Sequence, residues 1–131
     1  MGRGVATARR AVTRVARRTP SLSTEVRRRL AWLTSVLGSN HVADLLGVSR
    51  SQPSRWRTGT EGLAARNQRA VLDLDYVVTR LHQLWVPDVA AIWLESPNAQ
   101  LGGATPVDVL RQRGAADVVH AIDAEAEGAY A

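Results

Sequence analysis

A chain of 131 residues, 45% of them hydrophobic, can bury one substantial core or two small ones that share an interface. The absence of Cys excludes a disulfide framework and thiolate chemistry and is compatible with a reducing cytoplasm; no apolar run approaches the roughly 20 residues of a membrane span or forms a secretory h-region. The net charge of +5 conceals an asymmetry, because residues 1–69 hold fourteen Arg against Glu25, Asp44 and Glu61, a balance of +11, whereas residues 70–131 hold Arg80, Arg111 and Arg113 against nine acids, a balance of −6.

A basic half is the electrostatic footprint of a nucleic-acid-binding module, while an acidic half should keep away from phosphate. Two surfaces for two partners is the simplest inference. Residues 1–20 contain no acid and six Arg (Arg3, Arg9, Arg10, Arg14, Arg17, Arg18), and their apolar content is mostly Ala and Val, so the segment reads as a disordered basic arm that could track phosphates. A solvated tail, a start codon placed too early, or an Arg-rich transit peptide would look the same. After Pro20, Val26, Leu30, Leu33 and Leu37 recur at helical spacing and predict a helix over 23–37 that ends at Gly38, with Trp32 as a further candidate for its core.

Ser39 to Thr58 has the pattern of a helix-turn-helix. Val42, Ala43, Leu45 and Leu46 form the inner face of a helix over 40–46, Gly47 is the residue able to take a positive φ at the break, and Val48 closes the wedge. Ser49 followed by Gln52 has the spacing of a capping box, predicting a second helix over 50–57 that buries Pro53 and Trp56. Pro53 then falls at the fourth helical position, where a ladder bond is lost, so the first turn should be irregular. Ser49, Arg50, Ser51, Ser54 and Arg55 are left on the face that a recognition helix turns to the major groove. Arg can chelate the O6/N7 edge of guanine, Gln52 can engage adenine, and the hydroxyls with Arg57 suit phosphate oxygens. The plainer alternative is a capped surface helix with a polar outside.

The run Thr58 to Gly62 is a loop. Leu63, Ala70, Val71, Leu74, Val77, Val78, Leu81 and Leu84 then mark a broad apolar stripe over 63–84, which predicts a central helix joining the two halves or, alternatively, a dimerisation helix. Pro87 and Asp88 start a helix over 87–95 through Val89, Ile92, Trp93 and Leu94, and Ser96 to Gly103 is a turn-rich loop. Thr105, Pro106 and Asp108 start a helix over 106–113 that Gly114 ends, and a last helix over 115–127 should bury Val118, Val119 and Ile122. No strand is predicted. The expected fold is all-α: an arm over 1–20, a helix-turn-helix bundle with its central helix over 21–84, and a small helical domain over 85–131.

Trp93-Leu94, Ser96-Pro97-Asn98, Leu101-Gly102-Gly103, Pro106, Leu110 and Gly128 resemble the C-terminal toxin-binding domain of the Xre/MbcA/ParS family of antitoxins. Leu46 to Gln52 with Arg55-Trp56 is similar to the Xre-type DNA-binding domain that precedes it, so the resemblance covers residues 25–131. It implies an antitoxin that covers the active-site entrance of a RES-domain, NAD-degrading toxin with its last helix and tail. It also implies binding to operator double-stranded DNA and repression of the antitoxin's own operon, as a homodimer or a hetero-oligomer with toxin. Pro53, where the family pattern has a branched aliphatic, and the loop at Glu61-Gly62, which lacks a frequent Pro, depart from it.

The DNA-binding candidates are therefore Ser49, Arg50, Ser51, Gln52, Ser54, Arg55 and Arg57, and the toxin-binding candidates Trp93, Asn98, Leu101, Asp123, Glu125, Glu127, Gly128 and Tyr130. Trp93 and Leu94 could equally be core, and Asn98, Gly102 and Gly103 could serve only to shape a turn. His41, His82 and His120 fall on three predicted helices without a motif, so neither an enzyme nor a cofactor or metal site is expected. The competing class is a stand-alone regulator whose C-terminal half dimerises or senses a ligand.

Overall fold

The computed structural model describes residues 22–128, which form seven α-helices and one 3₁₀ turn, with no strand among them. In chain order these are α1 (Leu22–Leu37), α2 (Ser39–Leu46), α3 (Gln52–Thr58), α4 (Ala65–Leu84), α5 (Pro87–Leu94), the 3₁₀ turn (Ala99–Leu101), α6 (Pro106–Arg113) and α7 (Ala116–Gly128). Each expected helix is present, with both ends within two residues of the expectation. The basic arm over residues 1–20 and Tyr130 lie outside the described residues.

Helix α4 is the element on which the others assemble, since it contacts α1, α2, α5, α6 and α7. Its inner side carries Val71, Leu74, Val77, Val78 and Leu81, all buried, on the helical repeat read from the sequence. Val26, Leu30 and Leu33 of α1 and Val118 and Ile122 of α7 are fully buried in the same hydrophobic cluster, so one core spans both charge halves. Burying an aliphatic side chain of this size stabilises by about 1.5–3 kcal/mol. Asp75 also lies on the inner side of α4, 6% exposed, and is answered by Arg29 of α1 at 2.6 Å.

Five expectations need correction. Helix α3 begins at Gln52 rather than Arg50, with Ser51 as the residue before its first turn. Pro53 is therefore at the second helical position, where no backbone N–H is called for, and no ladder bond is lost. Trp32 is 38% exposed and meets His82 edge-on at 6.4 Å instead of joining the core, and Leu84 at the end of the stripe is exposed to the same degree. Leu63 is buried but lies in the loop before α4, where its carbonyl accepts from the Gln68 side chain at 2.8 Å.

Candidate functional site: a recognition helix and an acidic helix end

Gly47 follows α2 at φ 70°, a left-handed conformation that a residue with a Cβ adopts only at a cost, and it turns the chain into Val48 and the approach to α3. Trp56, 1% exposed, and Pro53 hold α3 down, and the Arg27 side chain donates to the Trp56 carbonyl at 3.0 Å. This leaves Ser49, Arg50, Ser51, Ser54, Arg55 and Arg57 exposed along and just before α3, with Gln52 half-buried among them.

Those side chains are already organised. Gln52 reaches back so that its Oε1 accepts from the Ser49 N–H at 2.9 Å, the return half of the expected capping box, now closing a turn ahead of α3. Arg50 forks onto Asp44, its Nε and terminal nitrogen lying 3.4 and 3.2 Å from the two carboxylate oxygens. Arg55 and Gln52 share a partner, Glu61, each at 3.4 Å.

The second set of candidates divides. Asn98 is 7% exposed and turned into its own loop: its Oδ1 accepts from the Gln100 N–H at 2.8 Å and its carbonyl from the N–H groups of Leu101 and Gly103. Leu101 packs half-buried against the core, and Trp93 lies half-buried beside Trp85, ring centroids 5.9 Å apart. Asp123 receives Arg80 of α4 at 2.5 Å, which fixes α7 to α4. Glu125, Glu127 and Gly128, at the end of α7, are exposed, and neither glutamate makes an ion pair among the described residues.

Two features escaped the sequence reading. On one flank, Leu84, Val86, Val89 and Ile92 form an exposed apolar strip, Ile92 being 67% exposed. Between the halves, Arg111 of α6 donates through Nε to the Leu45 carbonyl at 2.8 Å and through a terminal nitrogen to the Asp44 carbonyl, satisfying the C-terminal end of α2 from a sequence distance no pattern rule covers. Beside it a cavity of about 270 Å³ is lined by Leu45, Arg69, Asp73, Arg113 and Gly114, and burial pushes the Asp73 carboxyl above the ordinary aspartate range against the opposing pull of Arg69.

The sequence profile of the antitoxin Xre/MbcA/ParS C-terminal toxin-binding domain matches residues 71–128. The mycobacterial cidal antitoxin MbcA of Mycobacterium tuberculosis is 32% identical over 89 residues, which cover 68% of this chain and 79% of that protein; the M. bovis antitoxin gives the same values. The chain belongs to the Xre/MbcA/ParS family of antitoxins. A chain in the crystal structure of the M. tuberculosis MbcT–MbcA toxin–antitoxin complex shares its fold, with a TM-score of 0.66 and 28% identity over 80% of this chain and 96% of that one. In this antitoxin the matched toxin-binding region begins inside α4, so the helix that carries the shared core also opens the matched region.

Proposed function

We propose that this antitoxin neutralises a RES-domain toxin that degrades NAD, covering the toxin's active-site entrance with the end of α7 and the residues after it, and represses its own operon through α3. The observation that carries the first part is the exposed acidic end of α7, which continues a helix whose earlier turns are locked into the core by Val118, Ile122 and the Arg80–Asp123 pair. A rigid helix presenting Glu125 and Glu127 can engage a cationic active-site rim without reordering. DNA binding is supported by the exposed Arg50, Arg55 and Arg57 and the exposed serine hydroxyls along and just before α3, which Trp56 anchors to the core. The apolar strip of Leu84, Val86, Val89 and Ile92 is larger than scattered surface hydrophobes and supports an assembly of more than one chain, either a homodimer or a hetero-oligomer with toxin.

The test is co-expression with the product of the neighbouring gene, followed by two assays on the same preparation. NAD consumption by that product should fall to background at a stoichiometric amount of antitoxin, and a fragment carrying the upstream promoter should be bound more tightly than random DNA. Undiminished NAD consumption in a stable complex would overturn the first part. Equal affinity for the two DNAs would overturn the second.

A further inference from the structure

Glu61 lies outside both helices of the helix-turn-helix, yet the loop after α3 returns it to the reading face. Gly59, at φ 79°, permits the reversal, and the Glu61 N–H donates to the Arg55 carbonyl at 3.2 Å, seating the residue against the end of α3. Its carboxylate then lies between two of the candidates for base contact, Oε1 at 3.4 Å from Arg55 Nε and Oε2 at 3.4 Å from Gln52 Nε2. Gln52 Oε1 is itself occupied by the Ser49 N–H at 2.9 Å. The Gln52 amide is therefore engaged at both ends, which leaves little of it to pair with an adenine edge. Arg55 comes nearest to Glu61 through Nε and pairs with no other carboxylate among the described residues, so its terminal nitrogens can still turn to guanine O6 and N7.

A carboxylate here has a cost on DNA, because it adds a negative charge beside a phosphate-bearing partner. Orientation is the compensating effect. An Arg in solution samples many rotamers, whereas one paired with a carboxylate near Nε has its fork confined to fewer of them. We infer that Glu61 is the specificity-determining positioning residue of this antitoxin: it orients Arg55 for a guanine edge through the Nε contact and keeps Gln52 in the supporting role, trading some affinity for discrimination. This rests on the reading of α3 as the DNA-contacting helix.

The charge and the positioning effects move two observables in opposite directions. Binding to the upstream promoter fragment and to a random fragment of equal length is measured across a salt series for the full chain and for Glu61→Ala and Glu61→Gln, with helicity and Tm confirming the fold. Glu61→Ala is expected to tighten random binding about twofold at low salt through the lost charge, while the promoter-to-random ratio falls about tenfold as Arg55 loses its orientation. Glu61→Gln, which keeps an acceptor for Arg55 Nε, should share the gain on random DNA but retain most of the ratio. If Glu61→Ala changes both affinities by the same factor, in either direction, Glu61 is only a charge or a fold contact and the inference is overturned. A wild-type protein that does not distinguish the two fragments overturns the reading of α3 together with the inference, whereas a wild type that discriminates with an unchanged ratio in Glu61→Ala overturns the inference alone.

Discussion

Replacing Arg111 by Met should loosen the joint between the basic and acidic halves without creating a cavity, because Met keeps most of the aliphatic stem and deletes the guanidinium. The bond from Nε to the Leu45 carbonyl is part-buried at 2.8 Å, and a charged donor on a carbonyl in such a place contributes about 1.5–3 kcal/mol. The bond to the Asp44 carbonyl is exposed, so water replaces it at little cost. A cation at the C-terminal end of α2 is also attracted to the negative end of the helix dipole, which contributes about 0.3–1 kcal/mol. With the Arg111 side chain 39% exposed, the lower part of these ranges applies, and the net loss should be about 2 kcal/mol. For a chain of this size that is roughly 6–10 °C in Tm. Urea unfolding followed by circular dichroism measures it directly, and the midpoint should fall with the slope unchanged. Arg111→Lys, which can restore one donor but not the fork, should lose about half as much. A loss below about 0.5 kcal/mol for Arg111→Met would refute the reasoning, since values of that size are typical of surface substitutions away from any structural feature.

Arg29→Met should be more costly than its neighbour Arg28→Ala, because it strands the 6%-exposed Asp75 carboxylate, whereas Arg28 pairs only with Glu25 at the surface; about 1–3 against less than 0.5 kcal/mol is expected from urea midpoints. Asp73 has a folded-state pKa raised by burial, so its charge penalises the folded state: the penalty is absent below the ordinary value of 3.8, grows as pH rises toward the raised value, and is complete above it. Asp73→Asn should therefore raise Tm at pH 7 and leave it unchanged near pH 3, with a constant gain at both pH values counting against a titrating origin. Gly47→Ala should be destabilised by about 1–2 kcal/mol, since the new Cβ would sit at φ 70° and 3.4 Å from Arg111 Nε.

The helices were legible because their signals are local. Thr105-Pro106-x-Asp108 announces a start that the structure builds as read, with the Thr105 hydroxyl accepting the Asp108 N–H at 3.3 Å, and the heptad-like spacing in α1 and α4 marks faces that are in fact buried. The start of α3 was misread because Ser49 and Gln52 have the same spacing whether they cap a helix or close a turn. Pro53 held the answer: its missing N–H and its clash with the carbonyl four residues back both favour a first-turn position, which moves the helix start to Gln52. What periodicity does not carry is where a neighbouring helix ends, so Trp32, Leu84 and Ile92 share an apolar pattern with the core yet lie exposed. Long-range partners were equally silent. Arg29 meets Asp75 across 46 residues and Arg111 meets Leu45 across 66, whereas sequence rules for ion pairs reach three or four positions.

Opposite charge on the two halves does not make them independent bodies, and this decides how toxin binding can be tested. Helix α7 exposes Glu125 and Glu127 toward its C-terminal end and in its earlier turns seats Val118 and Ile122, both at 0% exposure, in the core carried by α4. Deleting it would remove candidate toxin contacts and strip α4 at once, so lost neutralisation would not say which mattered. Point substitutions separate the two. Ile122→Ala should be destabilised by about 2–5 kcal/mol through the cavity it leaves, yet whatever remains folded should inhibit the toxin with an unchanged dissociation rate. Glu125→Gln combined with Glu127→Gln touches only exposed carboxylates and should leave Tm within about 1 °C. If these acids meet a cationic rim that becomes desolvated in the complex, the pair should still weaken toxin binding by about 2 kcal/mol or more, mostly in dissociation, whereas solvated rim charges would lower only the association rate and restore it in high salt. Inhibition of NAD consumption by the double variant at wild-type potency and salt dependence would place the toxin contact elsewhere, with the apolar strip of Val86, Val89 and Ile92 the next surface to mutate.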